Sequence, residues 1–314
     1  MSGEFERIKK IAEALGPRAA GLLDDCAVLP TGDGQLVVST DSSVEGVHFR
    51  FDWLRHQEVG WRAAAAALSD LAAEGATPAA VLAAVVVPAS ASDDELVALM
   101  VGVGAAAAAV DALVVGGDLS RGPAWMTTIT VLGWTKHAVS RASARTGDGL
   151  WVTGVLGGSR AALEAWKRGG EPAPDARTAF AHPHPRIDAG RRLAAAGAHA
   201  MLDLSDGLGG DVRHLSEASA VSIEVDLDAV PVASACLDEA RRLGISPQQF
   251  AAEGGEDFEL LAAMPSEFDA DSAMAFQRAS GIAITRVGTI AAGSGVHTAI
   301  AGRPLALEGF DHFR

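Results

Sequence analysis

Apolar positions along the chain switch repeatedly between a helical and a strand-like rhythm. Phe5, Ile8, Ala12 and Leu15 recur at helical spacing, which predicts an opening amphipathic helix ending near Gly16-Pro17. Leu36 to Thr40 is rich in β-branched residues and predicts a strand that delivers Asp41. Positions 56–74 return to helix, with Trp61, Ala65, Leu68 and Ala72 on one face and Gly75 and Pro78 as stops. Val81 to Val87 predicts a buried strand. Ser92-Asp93-Asp94-Glu95 is a capping box, so a helix starts there and runs to about Val110. Asp111 to Val115 predicts the next strand, delivering Gly116-Gly117-Asp118, and Trp125 to Trp134 another, broken at Gly133.

Composition turns polar and turn-like over 138–148, which predicts a junction between two domains, 1–137 and 138–314. Leu150 to Thr153 predicts a strand, followed by a glycine-rich turn and a helix to about Arg168; 169–174 is a loop. Pro183-His184-Pro185-Arg186 introduces a helix through about Ala196. Ala200 to Leu204 is a strand, Asp206-Gly207 turns, and Leu208 to Ala218 is helical. Val221 to Val225 and Phe258 to Ala263 read as strands, with helices between and after them. Strands and helices alternate, so the fold class is α/β (α+β).

Charge narrows the partners. Lys and Arg number 25 against 40 Asp and Glu, a formal net charge of −15. That excludes nucleic acid as a partner, because binding it needs a basic surface to displace counterions. The longest apolar run, Leu96 to Val110, has 15 residues, short of the roughly 20 that a membrane span needs. The charged stretch Met1 to Lys10 lacks the apolar core of a signal peptide. Cys26 and Cys236 are far apart and in no metal-ligand spacing, so a reducing, cytoplasmic setting without structural zinc is expected.

Six short acidic motifs carry the chemistry: Asp24-Asp25, Ser39-Thr40-Asp41, Ser69-Asp70, Gly116-Gly117-Asp118, Asp203-Leu204-Ser205-Asp206-Gly207 and Gly254-Gly255-Glu256-Asp257. Each is predicted at a strand end or helix start. Carboxylates there, beside glycine and small hydroxyls, suit hard cations, and Mg²⁺ binds carboxylates together with substrate phosphates. Convergent aspartates repel one another unless cations sit between them. The competing reading for any single motif is a solvated turn. Strand alternation places Asp203 and Ser205 on one face, and Asp206 at a helix entrance where free N–H groups favour anions. The turn Gly154 to Ser159 lacks the Gly-Lys-Ser/Thr ending of a P-loop and reads as a packing turn. His182-x-His184 has no third soft ligand nearby. No GxSxG elbow supports acyl chemistry.

In order and spacing these motifs resemble the thiamine-monophosphate kinase family, within the wider aminoimidazole ribonucleotide synthase-like ATP-binding superfamily. The resemblance includes Val44-Glu45-Gly46-Val47-His48-Phe49 and the ending Gly309-Phe310-Asp311-His312-Phe313, and it spans nearly the whole chain. It implies a two-domain fold whose N-terminal sheet forms a homodimer interface, with a C-terminal α/β domain. It implies ATP-dependent phosphorylation of thiamine monophosphate to thiamine diphosphate, with several Mg²⁺ ions and ATP as co-substrate. Carried over by position, Asp25, Ser39, Thr40, Asp41, Asp70, Asp118, Asp203 and Asp206 form the metal shell, with Asp41, Asp70 and Asp206 central to catalysis. Gly117, Asp118, Arg141 and Ser205 lie near the nucleotide, and His48, Glu256 and Phe310 line the thiamine pocket. Departures from the family pattern are Leu23 for a usual glycine, Glu74 for a usual apolar residue, and Phe258 and Phe310 for frequent tyrosines. A sister ATP-dependent ligase and a catalytically silent relative remain the alternatives.

Overall fold

The structure is a computed structural model of the 314-residue chain and describes residues 3–19, 22 and 24–310. Leu23 and the Asp311-His312-Phe313 ending lie outside the described residues. The first part contains α1 (Glu4–Leu15), β1 (Ala27–Thr31), β2 (Gly34–Val44), α2 (His56–Ala73), β3 (Thr77–Pro88), α3 (Asp93–Ala108), β4 (Leu113–Gly122) and β5 (Met126–Thr135). Then come β6 (Gly149–Thr153), α4 (Gly158–Lys167), α5 (Pro174–Ala181), α6 (Ile187–Ala195), β7 (Ala200–Asp203), α7 (Leu208–Ser219) and β8 (Ser222–Asp226). The last are α8 (Cys236–Leu243), α9 (Pro247–Ala252), β9 (Leu260–Met264), α10 (Ala270–Ser280), β10 (Ile284–Ala291), β11 (Gly295–Ile300) and β12 (Arg303–Pro304).

Two sheets hold these strands, in the mixed α/β class that the alternation predicts. The first is five-stranded, in the order β1-β2-β5-β3-β4. Its pairs are antiparallel except β3 and β4, which are parallel and joined through α3 as such a crossover requires. The second has seven strands in the order β12-β11-β8-β10-β6-β9-β7, with β11 and β8 its parallel pair.

Helix α2 joins the layers. Its sequence predicts one apolar face, yet it is buried nearly all round: Val59, Ala63, Ala64, Ala67, Leu68, Leu71 and Ala72 are each at most 3% exposed. A helix without a polar face belongs in the middle of a molecule. Glycines let its neighbours come close. A Cβ at Gly60 would collide with the Leu99 carbonyl of α3, one at Gly102 with the Gln57 carbonyl of α2, and one at Gly190 of α6 with the Ala72 carbonyl. The predicted capping box at the start of α3 forms, with Ser92 and Glu95 exchanging hydrogen bonds.

Elsewhere the structure differs from the sequence reading in ways that matter for the site. Asp41 and Asp118 lie inside strands rather than beyond their ends. β2 continues because Ser and Thr pair across it, Thr40 with Thr130 at 3.0 Å and Ser42 with Thr128 at 2.9 Å. β5 is unbroken at Gly133, which faces Pro78 where the β3 register slips. The predicted loop 169–174 leads into an unforeseen helix, α5. After β9 only α10 is helical; β10, β11 and β12 replace the expected helices.

Two glycines in these helices respond oppositely to substitution. Gly60→Ala should cost about 1–3 kcal/mol by overpacking the α2–α3 crossing. A Cβ at Gly104 of α3 meets nothing within 4 Å, so Gly104→Ala should gain up to about 1 kcal/mol of helix propensity. Urea unfolding of both variants checks the contrast; equal effects of one sign would contradict the packing described.

Candidate active site

Three carboxylates from distant elements meet at the bottom of a cleft. Asp25 comes from the segment before β1, Asp70 from the last turns of α2, and Asp203 from the end of β7. A carboxylate oxygen from each lies within 4.8 Å of the others. Burial is the main cause of the shifts that follow. It raises Asp25 from 3.8 to about 6, with Arg141 opposing and Asp24 adding to the effect. It raises Asp203 to about 8, helped by Asp25 and Asp41. Asp70 is also raised well above its ordinary value by burial and then by Asp203, Asp41 and Asp25, against a hydrogen bond from the Ser39 hydroxyl. Ser39 and Asp41 share one face of β2 by strand alternation, so both belong with this cluster. The Asp25 Oδ2 atom is buried and has no hydrogen-bond partner among the described residues. A buried anionic oxygen without a partner, among other carboxylates, is a donor set that fits a hard divalent cation.

The cation that the fold itself supplies is Arg141. Its guanidinium pairs with Asp25 and approaches Asp24 at 3.5 Å, and its backbone N–H donates to Asp24 Oδ1 at 3.2 Å. Glu74 lies behind this pair, 1% exposed, with neither carboxylate oxygen hydrogen-bonded. Burial, then Asp24 and Asp25, pushes its pKa to about 9.

The loop after β7 builds the next part of the cleft. Gly207 has φ +89°, and a Cβ there would press on the Gly254 carbonyl, so the turn needs glycine. The Glu256 N–H donates to the Ser205 carbonyl at 2.7 Å, and the Phe310 N–H donates to the Asp206 carbonyl at 3.1 Å. Gly309 packs against Gly210 at the start of α7, where a Cβ on either would crowd the other chain segment. Residues 308–310 thereby wall the cleft. The cavity, of about 540 Å³, is lined by Asp41, Asp70, Asp203, Ser205 and Asp206 together with His48, Glu256 and Phe310. Trp53, Phe180 and Leu163 supply apolar lining. His48 Nδ1 accepts the Val44 N–H at 3.0 Å, which fixes the ring and leaves Nε2 as the protonated nitrogen.

Three expected site residues are not brought to this point. The Thr40 side chain faces the other side of β2, bonded to Thr130. Gly117 and Asp118 are exposed on edge strand β4. Asp41, Ile129, Ala83 and Gly117 form one row across the sheet. Gly117 is thus three strand spacings from Asp41, roughly 14 Å, and alternation turns Asp118 to the opposite face. β4 also exposes Leu113, Val115 and Leu119. His182 and His184 flank Trp61, with ring centroids at 5.6 and 5.8 Å, and join no metal-ligand cluster among the described residues. Both cysteines are buried and free. Sequence reasoning missed Arg62, Asp211 and His214. The last two place ligand atoms within 4.8 Å of Asp206; their spacing along α7 was the available signal. Arg62 pairs with Glu256 from a helix position that reads only as a polar break in an alanine run.

Residues 23–135 match the family of AIR synthase related protein, N-terminal domain, and 145–300 that of AIR synthase related protein, C-terminal domain. A thiamine-monophosphate kinase of Mycobacterium tuberculosis (strain ATCC 25618 / H37Rv) is 38% identical over 268 residues, covering 83% of this chain and 80% of the relative. The chain belongs to the thiamine-monophosphate kinase family. A thiamine-monophosphate kinase structure from Stenotrophomonas maltophilia K279a superposes with a TM-score of 0.80 at 34% identity, covering 96% of each chain. The structure of AaThiL complexed with AMPPCP and TMP gives 0.89 at 30% identity, covering 99% of this chain and 97% of that one.

The acidic cluster makes stability depend on pH. A carboxyl with a folded pKa above its unfolded value binds protons more tightly when folded. Its contribution is complete below about pH 4 and is lost as pH rises through about 6 for Asp25 and about 8 for Asp203. The melting temperature of chelator-treated protein should therefore fall between pH 5 and pH 8.5, and added Mg²⁺ should restore more of it at pH 8.5 than at pH 5. A flat or rising profile without metal would contradict the burial described.

Proposed function

We propose that this chain transfers the γ-phosphoryl group of ATP to thiamine monophosphate, giving thiamine diphosphate and ADP. The observation that carries the reading is the meeting of Asp25, Asp70 and Asp203 beside a cleft that His48, Glu256 and Phe310 also line. The similar structure that contains AMPPCP and TMP supports the same pair of substrates. The sister-ligase and silent-relative alternatives are not favoured, since curated relatives at 30–38% identity over most of the chain are thiamine-monophosphate kinases.

Phosphoryl transfer asks little covalent chemistry of a protein; positioning and charge neutralisation dominate. The acceptor is itself a phosphate, so no strong general base is needed. Asp25, Ser39, Asp41, Asp70, Asp203 and Asp206 are the residues of this chain that would hold Mg²⁺. Bound there, Mg²⁺ supplies positive charge between two anionic partners and orients the transferred group. Arg141 and Ser205 serve the nucleotide. Glu256 accepts a hydrogen bond from the aminopyrimidine, His48 Nε2 donates into the cleft, and Phe310 faces the thiazolium, where an aromatic face favours a cation. The two domains, 1–137 and 138–314, contribute the two walls, in a cytoplasmic enzyme.

The reading includes a homodimer. Asp118 and Gly117 do not reach the cluster of their own chain, and the strand carrying them exposes apolar residues along a sheet edge. Pairing with a second copy covers that edge and offers the partner's Asp118 to the first chain's Asp41.

A coupled ADP assay with and without thiamine monophosphate, followed by chromatography of the product, tests the activity. Thiamine diphosphate should form only with Mg²⁺; ADP release that ignores thiamine monophosphate sinks the reading. Asp41→Asn and Asp203→Asn should each lower kcat by about a hundredfold or more while the protein stays folded. Mixing separately inactive Asp41→Asn and Asp118→Asn chains should restore about a quarter of wild-type activity through hybrid dimers. No recovery after verified subunit exchange argues against a shared site.

A further inference from the structure

We propose that Arg62 is a positioning residue that sets specificity for the amino-bearing ring of the substrate by fixing the Glu256 carboxylate. This rests on the assignment of Glu256 to the aminopyrimidine. The Glu256 backbone is already pinned. It has a left-handed φ of +66°, its N–H donates to the Ser205 carbonyl, and its carbonyl accepts the Ser159 hydroxyl at 2.8 Å. A non-glycine residue in that conformation is held by its surroundings. Backbone fixation still leaves a glutamate several rotatable bonds, and Arg62 removes that freedom by pairing with Oε2. The side chain of Glu256 remains 33% exposed to the cleft, so Oε1 is the oxygen presented to a ligand.

Arg62 itself is committed elsewhere. It is 5% exposed; one terminal nitrogen donates to the Phe180 carbonyl at 2.8 Å, and the other pairs with Glu256. Its guanidinium carbon lies 3.8 Å from the centre of the Phe180 ring. A planar, forked donor stacked on an aromatic face suits this place, and a lysine does not reproduce it. The Phe180 carbonyl ends α5, so the same cation also satisfies a helix C-terminus. Arg62 therefore ties α2, α5 and the Glu256 loop together; it borders the cleft, but both terminal nitrogens are already engaged, so it acts on the substrate through Glu256.

A carboxylate oxygen held in one place accepts from an exocyclic amine and repels a carbonyl. The site should thus reject the analogue in which the 4-amino group of thiamine monophosphate is replaced by oxygen. A carboxylate free to rotate away loses that discrimination.

The test compares kcat/KM for thiamine monophosphate and its 4-oxo analogue in wild type, Arg62→Lys, Arg62→Met, Glu256→Gln and the Arg62→Met/Glu256→Gln double variant. Wild type should prefer the amino form by at least about tenfold. Arg62→Met should erase most of that preference, mainly through KM for thiamine monophosphate, with KM for ATP unmoved. In the Glu256→Gln background the same change should remove nothing further, because both act on one contact. Where Arg62→Met does not fold, Arg62→Lys carries the comparison and should lie between the two. Equal losses on both substrates, or additive effects in the double variant, overturn the proposal. A wild type inactive on thiamine monophosphate overturns the function reading and this one with it; an active wild type whose preference survives in the Arg62 variants overturns this one alone.

Discussion

Repulsion among buried carboxylates is the constraint on which this molecule turns. Asp25, Asp70 and Asp203 belong to three elements far apart in sequence, and only the complete fold brings their oxygens together. Water is mostly excluded there, so each negative charge weakens the next. One guanidinium, Arg141, answers part of that charge. The rest is met by proton uptake or by a metal, and the cluster therefore reports on both. Such a site costs stability in the empty protein and returns it on binding, which is the usual linkage between ligand and fold.

Helix α2 converts that local constraint into molecular geometry. Asp70 and Arg62 lie eight residues apart on it, roughly 12 Å of helical rise. One rigid element thus sets the spacing between the carboxylate cluster and the Arg62–Glu256 pair. Its burial on every side, and the glycines of α3 and α6 that pack against it, resist any drift in that spacing. The alanine-rich surface of α2 follows from the same need, because larger side chains would push its neighbours away.

Much of this was legible in the sequence, for identifiable reasons. The motifs around Asp25, Asp70, Asp203 and Asp206 stood out together, since several short acidic motifs beside predicted strand ends and helix starts suit a cation, although any one alone reads equally as a solvated turn. The capping box of α3 and the strands β6, β7 and β9 followed from local chemistry alone. What local patterns cannot carry is pairing. Asp41 and Asp118 read as strand ends because Ser, Thr and Gly resemble turn residues, yet ladder partners extend β2 and β4 through them. The strands after α10 are short and half-polar, and they exist because β8 and β6 offer edges to join. Arg62 was invisible for a related reason: its partners, Phe180 and Glu256, lie more than a hundred residues away.

The contact between Gly309 and Gly210 has a consequence for the order of biosynthesis. One wall of the cleft is laid down by residues 308–310, against the start of a helix made about a hundred residues earlier. A nascent chain holding every proposed metal ligand would still lack that wall. The acidic floor can thus assemble on the ribosome well before the pocket above it closes, and chains released early would carry the charge cluster without the chamber that uses it.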